Sequence, residues 1–97
     1  MEQKQSLTPN KLELNNIQFK KEDVLNSETE KYELRSKLIS AMKLGNNHSQ
    51  KVRIHFMNIT NQVLEIKAKV WSVTEKYVIL KYSIMIPIVS ILDVEFI

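Results

Sequence analysis

A chain of 97 residues with a net charge of +3 and no cysteine is long enough for one domain with a modest core, and disulfide stabilisation is excluded. No apolar run reaches the roughly 18 residues of a membrane span, and residues 1–10 lack the apolar segment of a secretory signal. These features predict a cytoplasmic protein without a membrane partner.

Residues 1–26 are polar and rich in Lys, Asn and Gln, with apolar side chains only at intervals. Their spacing fits neither a helix nor a strand. We therefore expect residues 1–26 to form a partly disordered N-terminal arm, which either remains free or docks on the rest of the chain or on a neighbouring chain.

An amphipathic helix is predicted over residues 27–44. Ser27 and Glu30 have the spacing of a capping box, in which the serine hydroxyl accepts the backbone N–H three residues later. Gly45 follows the last apolar position and is typical of a helix C-terminus. The apolar stripe that such a helix must bury consists of Leu34, Leu38, Ala41 and Met42.

Beyond residue 50 the chain is dense in Val, Ile and aromatic residues, which favour strands. Residues 62–73 are too long for one flat strand in so small a domain, so we expect a sharp bend there, with a bulge near Val70 and Trp71. The predicted fold is mostly β (α+β), a five-stranded small barrel at 51–97 that forms one domain, 27–97, with the helix. The predicted strands are 51–57, 62–73, 76–82, 84–89 and 93–96.

This order of one helix and five strands, with a long bent second strand, resembles the Sm-like small barrel, and the same pattern is typical of SH3-like barrels. The most similar segments are 77–81 and 85–96, which resemble the bacterial Sm-like RNA chaperones of the Hfq type. The resemblance implies rings formed by pairing the fourth strand with the fifth strand of the next subunit, and binding of uridine-rich RNA. Glu75 and Tyr77 match the acidic and aromatic residues of that RNA site, whereas the position of its Lys-His pair is apolar here, at Ile88 and Val89.

Catalytic and metal chemistry find little support in the sequence. His48 and His55 are the only histidines, and neither has an acidic cluster or a nucleophile at a suitable spacing. A single glycine excludes a glycine-rich phosphate loop. We expect a binding module that is not an enzyme and uses no cofactor or metal.

The first functional hypothesis is binding of RNA or single-stranded nucleic acid. Basic side chains project from one face of the first two predicted strands, which should pair antiparallel, and would give a positive strip suited to a phosphate backbone. Trp71, Tyr77 and Tyr82 either offer stacking surfaces or belong to the core and its rim. The residues of this basic strip are Lys51, Arg53, His55, Lys67 and Lys69.

The alternative hypothesis is a protein-interaction or assembly role. Residues 84–89 are apolar on both alternating faces, which is typical of a strand covered on both sides. A barrel of this size has few layers to cover such a strand, so we expect a homo-oligomer or a protein partner there. The predicted interface residues are Ile84, Ile86 and Ile88.

Overall fold

The computed structural model describes residues 16–97, which contain one α-helix, six strands and two short 3-10 turns at Lys81–Ser83 and Ile88–Ser90. No helix in this part of the chain combines the length and the apolarity that a membrane crossing requires. The helix is α1 (Glu28–His48), and the strands are β1 (Val52–Met57), β2 (Val63–Ala68), β3 (Val70–Val73), β4 (Tyr77–Leu80), β5 (Ile84–Pro87) and β6 (Ile91–Phe96).

The strands form two open antiparallel sheets of three strands each. The first sheet has the order β2-β1-β6 and the second has the order β3-β4-β5. The prediction of a mostly β domain with a helix is confirmed, but the predicted closed five-stranded barrel is wrong. Closure would require the last strands to pair, and within residues 16–97 no ladder joins β5 to β6, so both remain edge strands.

The predicted bend in the second strand is present and lies at Lys69. It divides the predicted strand 62–73 into β2, which belongs to the first sheet, and β3, which belongs to the second. The predicted bulge is also confirmed, because the register between β3 and β4 shifts between Val70 and Ser72.

Helix α1 begins as predicted and ends later than predicted. The Ser27 hydroxyl accepts the backbone N–H of Glu30 at 3.0 Å, which satisfies one of the free donors of the first turn. The helix continues through Gly45 to His48, and Ser49 adopts the left-handed conformation, with φ 53°, that ends it. Gly45 is therefore not the residue that terminates the helix.

One apolar core joins the helix to both sheets. The buried stripe of α1, Leu34, Leu38 and Ala41, packs with the inward side chains of the strands in a single cluster. Phe56 at the centre of this cluster is fully buried. Burial of these side chains is the main stabilising contribution, at roughly 25 cal/mol per Å² of apolar surface.

The described part of the arm docks on this core. Phe19 bridges to Asn58 and its ring lies 5.5 Å from that of Phe56, centroid to centroid. Further along, the Val24 N–H donates to the Val89 carbonyl at 2.9 Å. The docked alternative therefore holds for residues 16–26, and the predictions for residues 1–15 lie outside the described part of the chain.

Candidate functional site

The predicted basic strip lies on the outer face of the first sheet. β1 and β2 pair antiparallel, as predicted, and Arg53 lies opposite Lys67. On its other side, however, β1 pairs with β6, which brings Glu95 opposite Arg53 and Asp93 opposite His55. The strip therefore has two carboxylates of β6 beside it, which the predicted pairing of β1 with β2 does not include.

Glu65 of β2 and Glu95 of β6 neutralise the middle of the strip. Arg53 Nε lies 3.1 Å from Glu65 Oε2, an ion pair without hydrogen-bond alignment, and Arg53 Nη1 donates to Glu95 Oε1 at 3.1 Å. His55 Nε2 lies 3.3 Å from Glu65 Oε1. Arg53 and His55 thus contact protein carboxylates, which compete with any phosphate group for them.

The lysines at one end of the strip keep their charge uncompensated. Within residues 16–97, no ion pair joins Lys51, Lys67 or Lys69 to a carboxylate. Because Val52 lies opposite Ala68, the two residues that flank this pair, Lys51 and Lys69, come together where β1 begins and β2 ends. We call Lys51, Lys67 and Lys69 the lysine cluster.

The pair taken from the Sm-like resemblance lies elsewhere. Glu75 and Tyr77 belong to the turn into β4 in the second sheet, whereas the basic strip lies on the first. The Thr74 N–H donates to the Tyr77 carbonyl at 2.8 Å and closes this turn. The Arg35 guanidinium of α1 donates to the Thr74 and Glu75 carbonyls, at 3.0 and 3.4 Å, and fixes the turn against the helix.

The three isoleucines predicted to contact a partner face the protein's own core. Ile84 is 6% exposed and Ile86 is fully buried, while Ile88 packs against the core cluster. The assignment of these side chains to an interface is therefore corrected, because they belong to or pack against the one core cluster that also contains side chains of the helix and the first sheet. The exposed apolar side chain of β5 is Met85, at 46%.

The outer face of the second sheet is apolar and uncharged. The sequences of β3, β4 and β5 contain no charged residue. Ile79 lies opposite both Ser72 and Met85, and Trp71, at the bulge of β3, is 44% exposed. We call Trp71, Ile79 and Met85 the second-sheet face. Sequence reasoning missed it, although the unbroken apolar run Val78, Ile79 and Leu80, which makes both faces of β4 apolar, was available as a signal.

Both outer edge strands carry exposed apolar side chains. Directly after β5, the Ile88 N–H donates to the Lys76 carbonyl before β4, so the missing donor of Pro87 falls on the free edge of β5. In β6, Phe96 is 45% exposed at the end of the strand. Because ladder hydrogen bonds alternate along an antiparallel strand, the backbone N–H and carbonyl of Met85 point away from β4, toward the free edge of β5.

A cleft of about 710 Å³ lies between the docked arm, the first half of α1, the turn into β4 and the segment after β5. Its floor is apolar, and basic side chains from three of these elements surround it: Lys20, Lys21, Lys31, Arg35 and Lys76. Volumes of this size are typical of ligand-binding clefts.

The Lys31 ammonium, at the edge of this cleft, is held in place by two acidic neighbours. Its ammonium donates to Asp23 Oδ2 at 3.1 Å and to Glu28 Oε2 at 3.4 Å. The hydrogen bond to Asp23, with smaller contributions from the Asp23 and Glu28 charges, raises the pKa of Lys31 above its ordinary value. Lys31 is therefore a charged and positioned group at neutral pH.

No group of three or more His, Cys, Asp or Glu side chains in residues 16–97 is placed to hold a metal ion.

No family model, curated protein or solved structure matches the chain. The resemblance to Sm-like barrels stays a prediction that rests on the residues quoted for it.

Proposed function

We propose that this protein is an assembly module, in which β5 of one copy packs against β6 of the next copy. The observation that carries the proposal is that two of the four edge strands within residues 16–97, β5 and β6, each carry an exposed apolar side chain, Met85 on β5 and Phe96 on β6. Uncovered edge strands of this kind tend to form hydrogen bonds with a strand of another chain.

The two edges differ, so the expected contact is head-to-tail. β5 has four residues and includes Pro87, whereas β6 has six residues and no proline. A contact between unlike surfaces leaves one free edge on each end of a dimer, and further copies then close a ring or extend a filament. The second-sheet face, which includes Met85, supplies the apolar area that such a contact buries.

The experiment measures mass in solution by light scattering for the wild type, for Met85→Lys and for Phe96→Glu. Each substitution places a charge on one edge only. We expect an oligomer for the wild type and a monomer for each variant alone. Mixed together, the two variants should form a one-to-one dimer, because each retains the edge that the other has lost.

Ser40→Lys and Ser40→Glu are the matched controls, since Ser40 is exposed on α1 and the charge changes are the same. They should keep the wild-type mass. A wild type that stays monomeric at millimolar concentration overturns the proposal. Variants that keep the wild-type mass, or a mixture that stays monomeric while the wild type assembles, overturn the head-to-tail contact.

Nucleic-acid binding is the second candidate function, and the lysine cluster is the observation that favours it. Lys51, Lys67 and Lys69 gather on one outer face without carboxylate partners in residues 16–97, as a phosphate-binding surface requires. Replacing all three by Gln should weaken binding of a uridine-rich RNA and lower the slope of log K against log salt by about 2. A variant with Lys21, Lys43 and Lys76 replaced by Gln has the same net charge. Equal binding by both variants contradicts this candidate.

A further inference from the structure

We infer that the cleft beside the docked arm, between α1 and the turn into β4, binds an acidic peptide segment that carries aliphatic side chains. The cleft adjoins the proposed assembly contact at Pro87 of β5 and Ile91 of β6, but neither Met85 nor Phe96 lines it, so the two can be tested separately. It is separate from the lysine cluster, which lies on the first sheet.

The floor of the cleft is suited to aliphatic side chains. Its apolar side chains come from α1, the arm, the start of β6 and the turn between the last two strands. They are Leu34, Leu25, Ile91, Ile88 and Val89, in that order. The ring of Phe19 also lines the cleft but is packed against Phe56. A partner side chain such as leucine gains roughly 25 cal/mol for each Å² of apolar surface that it buries there.

The rim of the cleft carries most of the excess positive charge of the protein. Five basic and two acidic residues line it, a balance of +3 that equals the formal net charge of the whole chain. Within residues 16–97, Lys21 and Lys76 take part in no ion pair, and Arg35 donates to backbone carbonyls rather than to a carboxylate. These three cations therefore remain available to an anionic partner.

The distribution of these charges selects among anionic ligands. The cations come from the arm, α1 and the turn into β4, so they face the cleft from several sides. A long-chain carboxylate would place its single charge against only one of them, whereas a peptide with several acidic residues engages all three sides. Single-stranded nucleic acid binds by stacking bases on aromatic rings. Here Phe19 is packed against Phe56, which leaves Tyr77 as the one accessible ring among the lining residues that the structure describes, the others being aliphatic or charged.

The test uses the full chain and a short fluorescein-labelled peptide in which glutamate and leucine alternate, with binding followed by fluorescence anisotropy. We expect the affinity to fall with salt and to fall about tenfold for Lys21→Gln/Lys76→Gln, since two partly exposed ion pairs are lost. Lys67→Gln/Lys69→Gln changes the net charge equally, lies outside the cleft and should bind as the wild type does.

Two further peptides and an oligouridine competitor complete the test. A peptide with serine in place of leucine should lose most of the affinity, because the floor then has no apolar partner, and one with lysine in place of glutamate should not bind. Absence of binding of the glutamate–leucine peptide to the wild type overturns the inference. So does equal weakening by the two double variants, or displacement of the bound peptide by an oligouridine at a lower concentration than by unlabelled peptide.

Discussion

Gly45 of α1 lies directly against the backbone of Val70 at the start of β3. A β-carbon built on Gly45 would stand 2.5 Å from the Val70 carbonyl oxygen and 3.2 Å from its nitrogen. These distances are too short for any side chain, so the single glycine of the protein allows the helix to touch the second sheet at the point where the chain bends.

Replacing Gly45 by alanine should lower the stability of the protein. In an exposed helix this change stabilises by about 1 kcal/mol, but here the steric conflict with Val70 costs about 1–3 kcal/mol. We expect a net loss of up to about 2 kcal/mol in the free energy of unfolding, measured in urea. Asn47→Ala, at an exposed position of the same helix, should instead be neutral or stabilising. A Gly45→Ala variant that matches it contradicts the close contact.

Loss of the Ser27 cap should weaken the start of α1. Ser27→Ala removes the hydroxyl that accepts the Glu30 N–H, and we expect a loss of about 1 kcal/mol in the free energy of unfolding. Ser36→Ala is the control within the same helix, because Ser36 is exposed and alanine favours a helix interior. Equal stability of the two variants would show that the cap contributes nothing.

The two carboxylates that contact Arg53 should differ in their contribution to stability. The Glu65 side chain is 25% exposed and faces Arg53 Nε, which is inaccessible to water, whereas Glu95 is 47% exposed. Glu65→Gln should therefore destabilise by about 2 kcal/mol, since it removes the charge paired with a guanidinium nitrogen that is shielded from water. Glu95→Gln should cost less than about 1 kcal/mol. The reverse order in urea unfolding would contradict this account.

The docked arm should detach when Phe19 is shortened. Phe19→Ala removes the ring contact with Phe56, at a cost of roughly 2 kcal/mol for a partly buried aromatic side chain. Hydrogen exchange should then accelerate at the Lys20 and Ile59 amides, which bond to carbonyls across this contact. The amide of Leu38, in the buried part of α1, is the reference, and exchange that accelerates there equally would indicate global destabilisation instead.

The elements that the sequence predicted well depend on local rules. Ser27 and Glu30 are close in the chain, and their capping geometry follows from spacing alone. The same holds for β1, where Val52, Ile54 and Phe56 alternate with polar residues and are buried as expected.

The features that sequence reasoning missed depend on contacts between distant segments. Glu95 neutralises Arg53 only because β6 pairs with β1. A glycine is needed at position 45 only because the helix there contacts the backbone of Val70. Ile86 likewise is buried in a core cluster whose other members include residues from distant parts of the chain. Local patterns specify strands and caps, but they leave open which strands become neighbours.

The two sheets differ in the sequence separation between the strands that pair. The strands β3, β4 and β5 follow one another within residues 70–87, whereas β1 at 52–57 must pair with β6 at 91–96. Because longer loops cost more entropy to close, we expect the second sheet to form before the β1–β6 ladder. Val78→Ala should then slow refolding, and Val94→Ala should chiefly accelerate unfolding. The uncharged second sheet is therefore expected to serve as the early-formed scaffold on which the β1–β6 ladder closes.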